Sequence, residues 1–197
     1  MAVAFLRKSW WVILLLIFLG VCYILTCSKP PKGPCPIESL LLVAEDLPNG
    51  NWGETGSRSI KGAPSRLGVE RIGTSFINPE EGGVNHEVYR FASLTDAIEG
   101  YEELAGSWFY PNDNRSIWII PAQLENLSIN ASQYRLGCST YLPTGEEECQ
   151  WIALYGSITL FLNYGIFQNA DVQNSRYENI AMIISKIDQK MTGCLQP

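Results

Sequence analysis

Along the first part of the chain the alternation of polar and apolar positions disappears. Twenty residues without a charge, "SWWVILLLIFLGVCYILTCS", run from position 9 to 28 between Lys8 and Lys29. As a helix they extend about 30 Å, the thickness of a bilayer core, which predicts a transmembrane anchor over 9–28. Trp10, Trp11 and Tyr23 sit near its ends, where amphipathic rings favour the headgroup region. Arg7 and Lys8 together with the amino terminus outweigh Lys29 and Lys32, so residues 1–8 are expected in the cytoplasm. The rival reading is a lipoprotein signal ending at Cys27, because "ILTC" resembles a lipobox with Thr26 where that pattern has Gly, Ala or Ser. Simple secretion is the third alternative. All three deliver the rest of the chain to the same side of the membrane.

Residues 29–36 hold four prolines and cannot continue a helix, so they read as a stiff spacer. From residue 37 the period changes repeatedly. Ile37, Leu40, Leu41 and Ala44 have helical spacing, closed by Pro48 and Gly50. "RLGVERIGTSFIN" and "VNHEVYRFA" alternate and flank "PEEGG", which predicts a hairpin. In "SLTDAIEGYEELAGSWFYP" the stripe Leu94, Ala97, Ile98, Tyr101, Leu104, Ala105, Trp108 predicts a helix, with Ser93 and Asp96 at its start and Pro111 beyond its end. "SIWII", "SQYRLGCSTYL", "CQWIALYG" and "SITLFLNYGIF" read as four strands of an antiparallel meander. "NSRYENIAMIISKIDQKM" closes with a helix that carries Tyr177, Ile180, Ala181, Ile184, Ile187 and Met191 on one face, with Asn174 as N-cap and Gly193 as stop. Helix, strands, helix, strands, helix is most simply buried as an α+β fold, a curved antiparallel sheet with helices packed on it, over residues 37–197.

The segments "LLLVAEDLPNGNW" and "VYRFASLTDAIEGYEELAGSWFYP", and the closing strand with its terminal amphipathic helix, resemble the α/β/α sandwich of Mog1/PsbP/LpqN-like surface domains of membrane-anchored bacterial proteins. Receptor-kinase sensor domains use similar modules. The resemblance implies a binding, sensing or accessory role and carries no catalytic residues with it.

Charge sharpens this picture. Four of the 14 basic residues flank the anchor, and the rest of the chain carries 10 basic against 20 acidic residues, a net of −10. Such a domain repels nucleic acid and anionic headgroups. Of six cysteines, Cys22 and Cys27 belong to the anchor and four to the domain, an even number suited to an oxidising compartment. Of the three possible connectivities the favoured one joins Cys138 to Cys149 across the hairpin "CSTYLPTGEEEC" and Cys35 to Cys194, tying the start of the domain to its last helix. No C-x2-C pair exists and there is a single histidine, so neither a metal nor another cofactor is expected.

Candidate chemistry is sparse. His86 is read as a strand residue on the solvated face, with general-base service in a hydrolase as the lesser alternative. Glu146, Glu147 and Glu148 read as a solvated hairpin tip. "YGSITLFLNYGIF" is apolar at nearly consecutive positions, so Tyr155, Leu160, Phe161, Tyr164 and Phe167 are the candidate partner surface, against the plainer reading of a central strand covered on both sides. Together these predict a non-catalytic, single-pass domain on the periplasmic or extracellular side, anchored in the bilayer by residues 9–28. Its expected partners are proteins of a larger membrane complex, with a lipoprotein or sensor-like domain for a small apolar ligand as the alternative.

Overall fold

Strands that bury both faces must lie inside a sheet, and here the strand latest in sequence lies at its centre. The computed structural model describes residues 35–56, 69–109, 116–141, 146–166 and 173–195. The anchor at 9–28, Cys27 and Phe167 lie outside them. Seven strands form one antiparallel sheet: β1 (Gly53–Glu54), β2 (Glu70–Asn78), β3 (Gly82–Arg90), β4 (Ser116–Ile119), β5 (Gln133–Tyr141), β6 (Glu146–Tyr155) and β7 (Ile158–Ile166). Their spatial order is β1-β2-β3-β7-β6-β5-β4, so the β2–β3 hairpin and the β4–β7 meander are joined by the pairing of β3 with β7.

The two-residue period assigns each side chain to a face. In register, Val88, Leu160 and Ala153 form a row on one face, and Glu87, Phe161 and Ile152 a row on the other. Helix α1 (Leu94–Trp108) covers part of the second face. Ser93 caps it by accepting from the Asp96 N–H at 3.1 Å, and its hydroxyl donates to the Asp96 carboxylate at 2.6 Å. Ala97, Tyr101, Leu104 and Ala105, at helical spacing, pack with Tyr89, Phe91, Ile152, Leu154 and Phe161. Gly100 permits the close approach: a Cβ there would lie 2.2 Å from Cζ of Phe91.

Helix α2 (Gln173–Leu195) belongs to the other face. Ile180, Ile183, Ile184, Ile187 and Met191 are buried there with Val84, Val88, Leu160, Leu162 and Trp151. The helix begins before Asn174 and continues past Gly193, so neither marks its end as expected; the buried, disulfide-bonded Cys194 rewards the extra turn. No helix of the described residues is long and apolar enough to cross a membrane.

The expected helix over Ile37–Ala44 is replaced by two 3₁₀ turns, Ile37–Leu40 and Ala44–Asp46. Tertiary partners take the backbone groups that an α-helix would use. The Leu42 N–H donates to Nδ1 of His86 at 3.2 Å, and Lys190 Nζ donates to the Leu41 carbonyl at 2.8 Å while pairing with Asp46 at 2.6 Å. Cys35 is joined to Cys194, and Arg90, which also pairs with Glu70 at 3.0 Å, donates to the Cys35 carbonyl at 2.7 Å. The second bridge joins Cys138 to Cys149, direct partners across β5 and β6.

Candidate functional site

Two of the residues and surfaces singled out from the sequence prove to be structural. His86 is fully buried, and the solvated strand position expected for it is wrong. Register with Thr74 and Leu162 puts it on the α2 face, beneath the 3₁₀ segment. Burial holds its pKa down to about 3; the neighbouring Lys190 charge adds to the effect and Asp46 opposes it. Its Nδ1 accepts from Leu42, so the ring is neutral with its proton on Nε2. A histidine so enclosed has no approach for a substrate, which removes the motive for the hydrolase reading.

The proposed partner surface is also corrected. Tyr155, at the end of β6, and Leu160, Phe161 and Tyr164 of β7 are all buried, because both strands lie inside the sheet with helices packed on it. Two of them bind polar partners within the fold. The Tyr155 hydroxyl donates to Asp188 at 2.6 Å, and Tyr164 donates to Glu81 at 3.2 Å. Burial, and then these carboxylates, push both phenols above their ordinary pKa.

The uncommitted chemistry lies on the α1 face, where the helix covers only part of the sheet. Register places Ser75, Asn85, Asn163, Gln150 and Gly137 side by side across β2, β3, β7, β6 and β5. Neighbouring strands are about 4.8 Å apart, so four polar side chains form a belt roughly 14 Å long. Ser75 donates to Oδ1 of the Asn85 side chain at 2.7 Å, and the Asn163 amide donates to the Glu148 carboxylate at 3.4 Å. Asn85, Asn163 and Glu148 are half-buried, while Gln150 beneath them is 2 % exposed. Its Oε1 has no hydrogen-bond partner among the described residues. An acceptor left in that state costs about 1–3 kcal/mol.

Aromatic rings edge this belt. Trp108 at the end of α1 stacks on Phe161 at 4.7 Å, and Phe109 meets Trp118 of β4 at 5.0 Å. Gly137 leaves room for these last two rings: a Cβ there would lie 3.2 Å from Phe109 and 3.3 Å from Trp118. Arg135 stands over Phe109, 5.7 Å from the ring centre, and also lines an open cleft of about 380 Å³ between α1 and β5 with Tyr101, Glu102 and Gln133. Phe109 therefore lies beside both Arg135 of the cleft and Gly137 at the end of the row.

The row consists of one hydroxyl and three primary amides. Primary amides offer donors and acceptors together and hold no titratable proton near neutrality. The nearby carboxylates are occupied in part, Glu87 by the Tyr89 hydroxyl and Glu148 by Asn163. Glu146, expected at a solvated tip, is exposed at the start of β6, whereas Glu147 and Glu148 are half-buried. Among the described residues no three His, Cys, Asp or Glu side chains gather as a metal site. The α2 face also has unpartnered polar atoms, His86 Nε2 and Trp151 Nε1, but both belong to fully buried side chains within packed layers.

Sequence reasoning missed the belt. Its signal was present as amides interrupting apolar strands, Asn163 in "LFLNYGIF" and Gln150 in "CQWIALYG". Only the register reveals that they are neighbours.

No protein-family model and no curated protein matches this chain. Among solved structures it is similar to the extracellular domain of PknH from Mycobacterium tuberculosis, with a TM-score of 0.50 and 12% identity, covering 82% of this chain and 99% of that one. At that identity the likeness concerns the fold: an open antiparallel sheet with helices packed on it.

Proposed function

We propose that the chain is a non-catalytic, membrane-anchored binding domain displayed outside the cytoplasm, sensor-like in its architecture, with the belt and cleft of the α1 face as its recognition surface. The observation that supports the binding role is the polar row Ser75–Asn85–Asn163–Gln150 beyond the first helix, in which Asn85 and Asn163 are half-buried between the buried Ser75 and Gln150. The compartment is supported by the two disulfides, which persist where thiols are not kept reduced, and by the uncharged stretch at 9–28 that precedes the domain. The extracellular placement of the PknH domain, and the Mog1/PsbP/LpqN-like arrangement expected from the sequence, agree with it. Of the two versions weighed from the sequence, the accessory-subunit one has lost its surface to the core. The apolar-ligand version is opposed by side chains between sheet and α2 that bury one another.

Thiol labelling of the full chain in intact cells tests this placement. A membrane-impermeant maleimide should leave Cys35, Cys138, Cys149 and Cys194 unmodified until an impermeant reductant is added, and then modify them without lysis. Labelling before reduction, or only after lysis, contradicts it.

A further inference from the structure

We infer that the Cys35 end of the domain rests on the outer leaflet of the bilayer that holds the anchor, with Leu94 and Leu195 as its contacts to the lipid interface. The inference rests on the membrane-anchored reading proposed above and adds the surface that the domain turns to the lipid. Only residues 29–34 separate Ser28, the last residue of the expected anchor, from Cys35, and a chain of that length reaches at most about 25 Å. Cys35 is fixed to one end of the sheet: it is bridged to Cys194 of α2, and its carbonyl accepts from Arg90 at 2.7 Å. Arg90 pairs in register with Glu70 and Ile158, so the start of β2, the end of β3 and the β6–β7 turn form this end.

Both helices bring an apolar side chain to it. Helix α1 begins there with Leu94, 54 % exposed, shortly after Phe91, whose N–H donates to the Ser157 carbonyl of the β6–β7 turn at 2.9 Å. On the other face α2 ends there with Leu195, 38 % exposed, next to the bridged Cys194. The turn residues Gly156 and Ser157 carry no charge. Apolar side chains beside an uncharged turn gain by entering the boundary between headgroups and acyl chains. Charge then separates the two ends of the sheet, which strands of nine residues hold about 27 Å apart. At the Cys35 end Glu70 pairs with Arg90, and Arg71 stands against Glu38 and Asp96. At the opposite end, register gathers Glu80 and Glu81 of the β2–β3 turn with Glu146, Glu147 and Glu148 of β6 near Ile166. A negative membrane surface repels that acidic end.

The test places the photocrosslinker benzoylphenylalanine singly at Leu94, Leu195, Glu80 or Ile119 of the full chain in phosphatidylcholine nanodiscs and reads lipid adducts by mass spectrometry. Ile119, 56 % exposed on the edge strand β4, controls for an apolar position away from this end. Adducts at 94 and at 195 should each exceed those at 80 and 119 by roughly fivefold or more. With the probe at the exposed Thr95 instead, combining Leu94→Asp with Leu195→Glu should lower the lipid adducts by a similar factor; both leucines are exposed, so the core is spared. A yield at 94 or 195 no higher than at 80 and 119, a yield at 95 unaltered by the double variant, or crosslinks to a second copy of the chain in place of lipid overturns the docking and leaves the anchor standing. A chain that does not co-purify with the nanodiscs overturns the anchored reading itself, and the docking with it.

Discussion

The two faces of one sheet have been put to opposite uses. On the α2 side, inward positions of β3, β6 and β7 are Val84, Val88, Leu160, Leu162, Trp151 and Ala153, and the helix buries them almost completely. On the α1 side, the same strands alternate from large apolar residues beneath the helix to Asn85, Asn163 and Gln150 beyond it. The α2 face also collects the covalent and polar fastenings: the Cys35–Cys194 bridge, the His86–Leu42 hydrogen bond and the Lys190 contacts to Leu41 and Asp46. Among the described residues the fastenings are thus concentrated on one face, while the first helix covers part of the other. The comparison teaches that polarity within a central strand is informative only once its face is known.

The largest way to break this contrast is to remove its fastenings. Replacing Cys35 and Cys194 by Ser opens a crosslink spanning 159 residues, for which chain entropy predicts a loss on the order of 5 kcal/mol. The Cys138–Cys149 bridge spans 11 residues and should cost about 3 kcal/mol when removed. Urea unfolding of the two double variants should therefore rank them in that order. Equal losses would contradict the ranking by loop length.

A smaller effect should appear with pH. The folded-state pKa of His86, about 3, lies below its ordinary value of 6.5, so the unfolded chain takes up the proton first as pH falls. The stability contributed by the neutral ring is complete above pH 6.5, declines toward pH 3 and then levels off. Its steepest slope is about 1.4 kcal/mol per pH unit. His86→Gln retains an acceptor for the Leu42 N–H and does not titrate, so the difference between wild type and variant should change across this window. A difference independent of pH would contradict the enclosed, neutral histidine.

Much of the scaffold was legible in the sequence. The stripe from Leu94 to Trp108 and the cap at Ser93 are local features, and local features survive folding. The hairpin and meander followed from alternation and turn residues. The features that escaped were long-range. The 3₁₀ turns at Ile37–Asp46 depend on His86 and Lys190, respectively about 40 and 150 residues away in the chain, and no period within the segment reports that. His86 was misplaced because a single polar residue in an alternating strand gives no sign of which face a distant segment will cover. The candidate site was less legible still, since Ser75, Asn85, Asn163 and Gln150 come from four strands and become one row only through register.

The sharpest test compares two adjacent residues of β7, Leu162 on the α2 face and Asn163 on the α1 face, each replaced by Ala and unfolded in urea. Leu162 is 1 % exposed, and its loss should cost about 2–5 kcal/mol, whereas Asn163→Ala, at a half-buried polar position, should stay within about 1 kcal/mol of wild type. Equal destabilisation by the two substitutions would show that both faces serve the core alike and would contradict the division of labour between them.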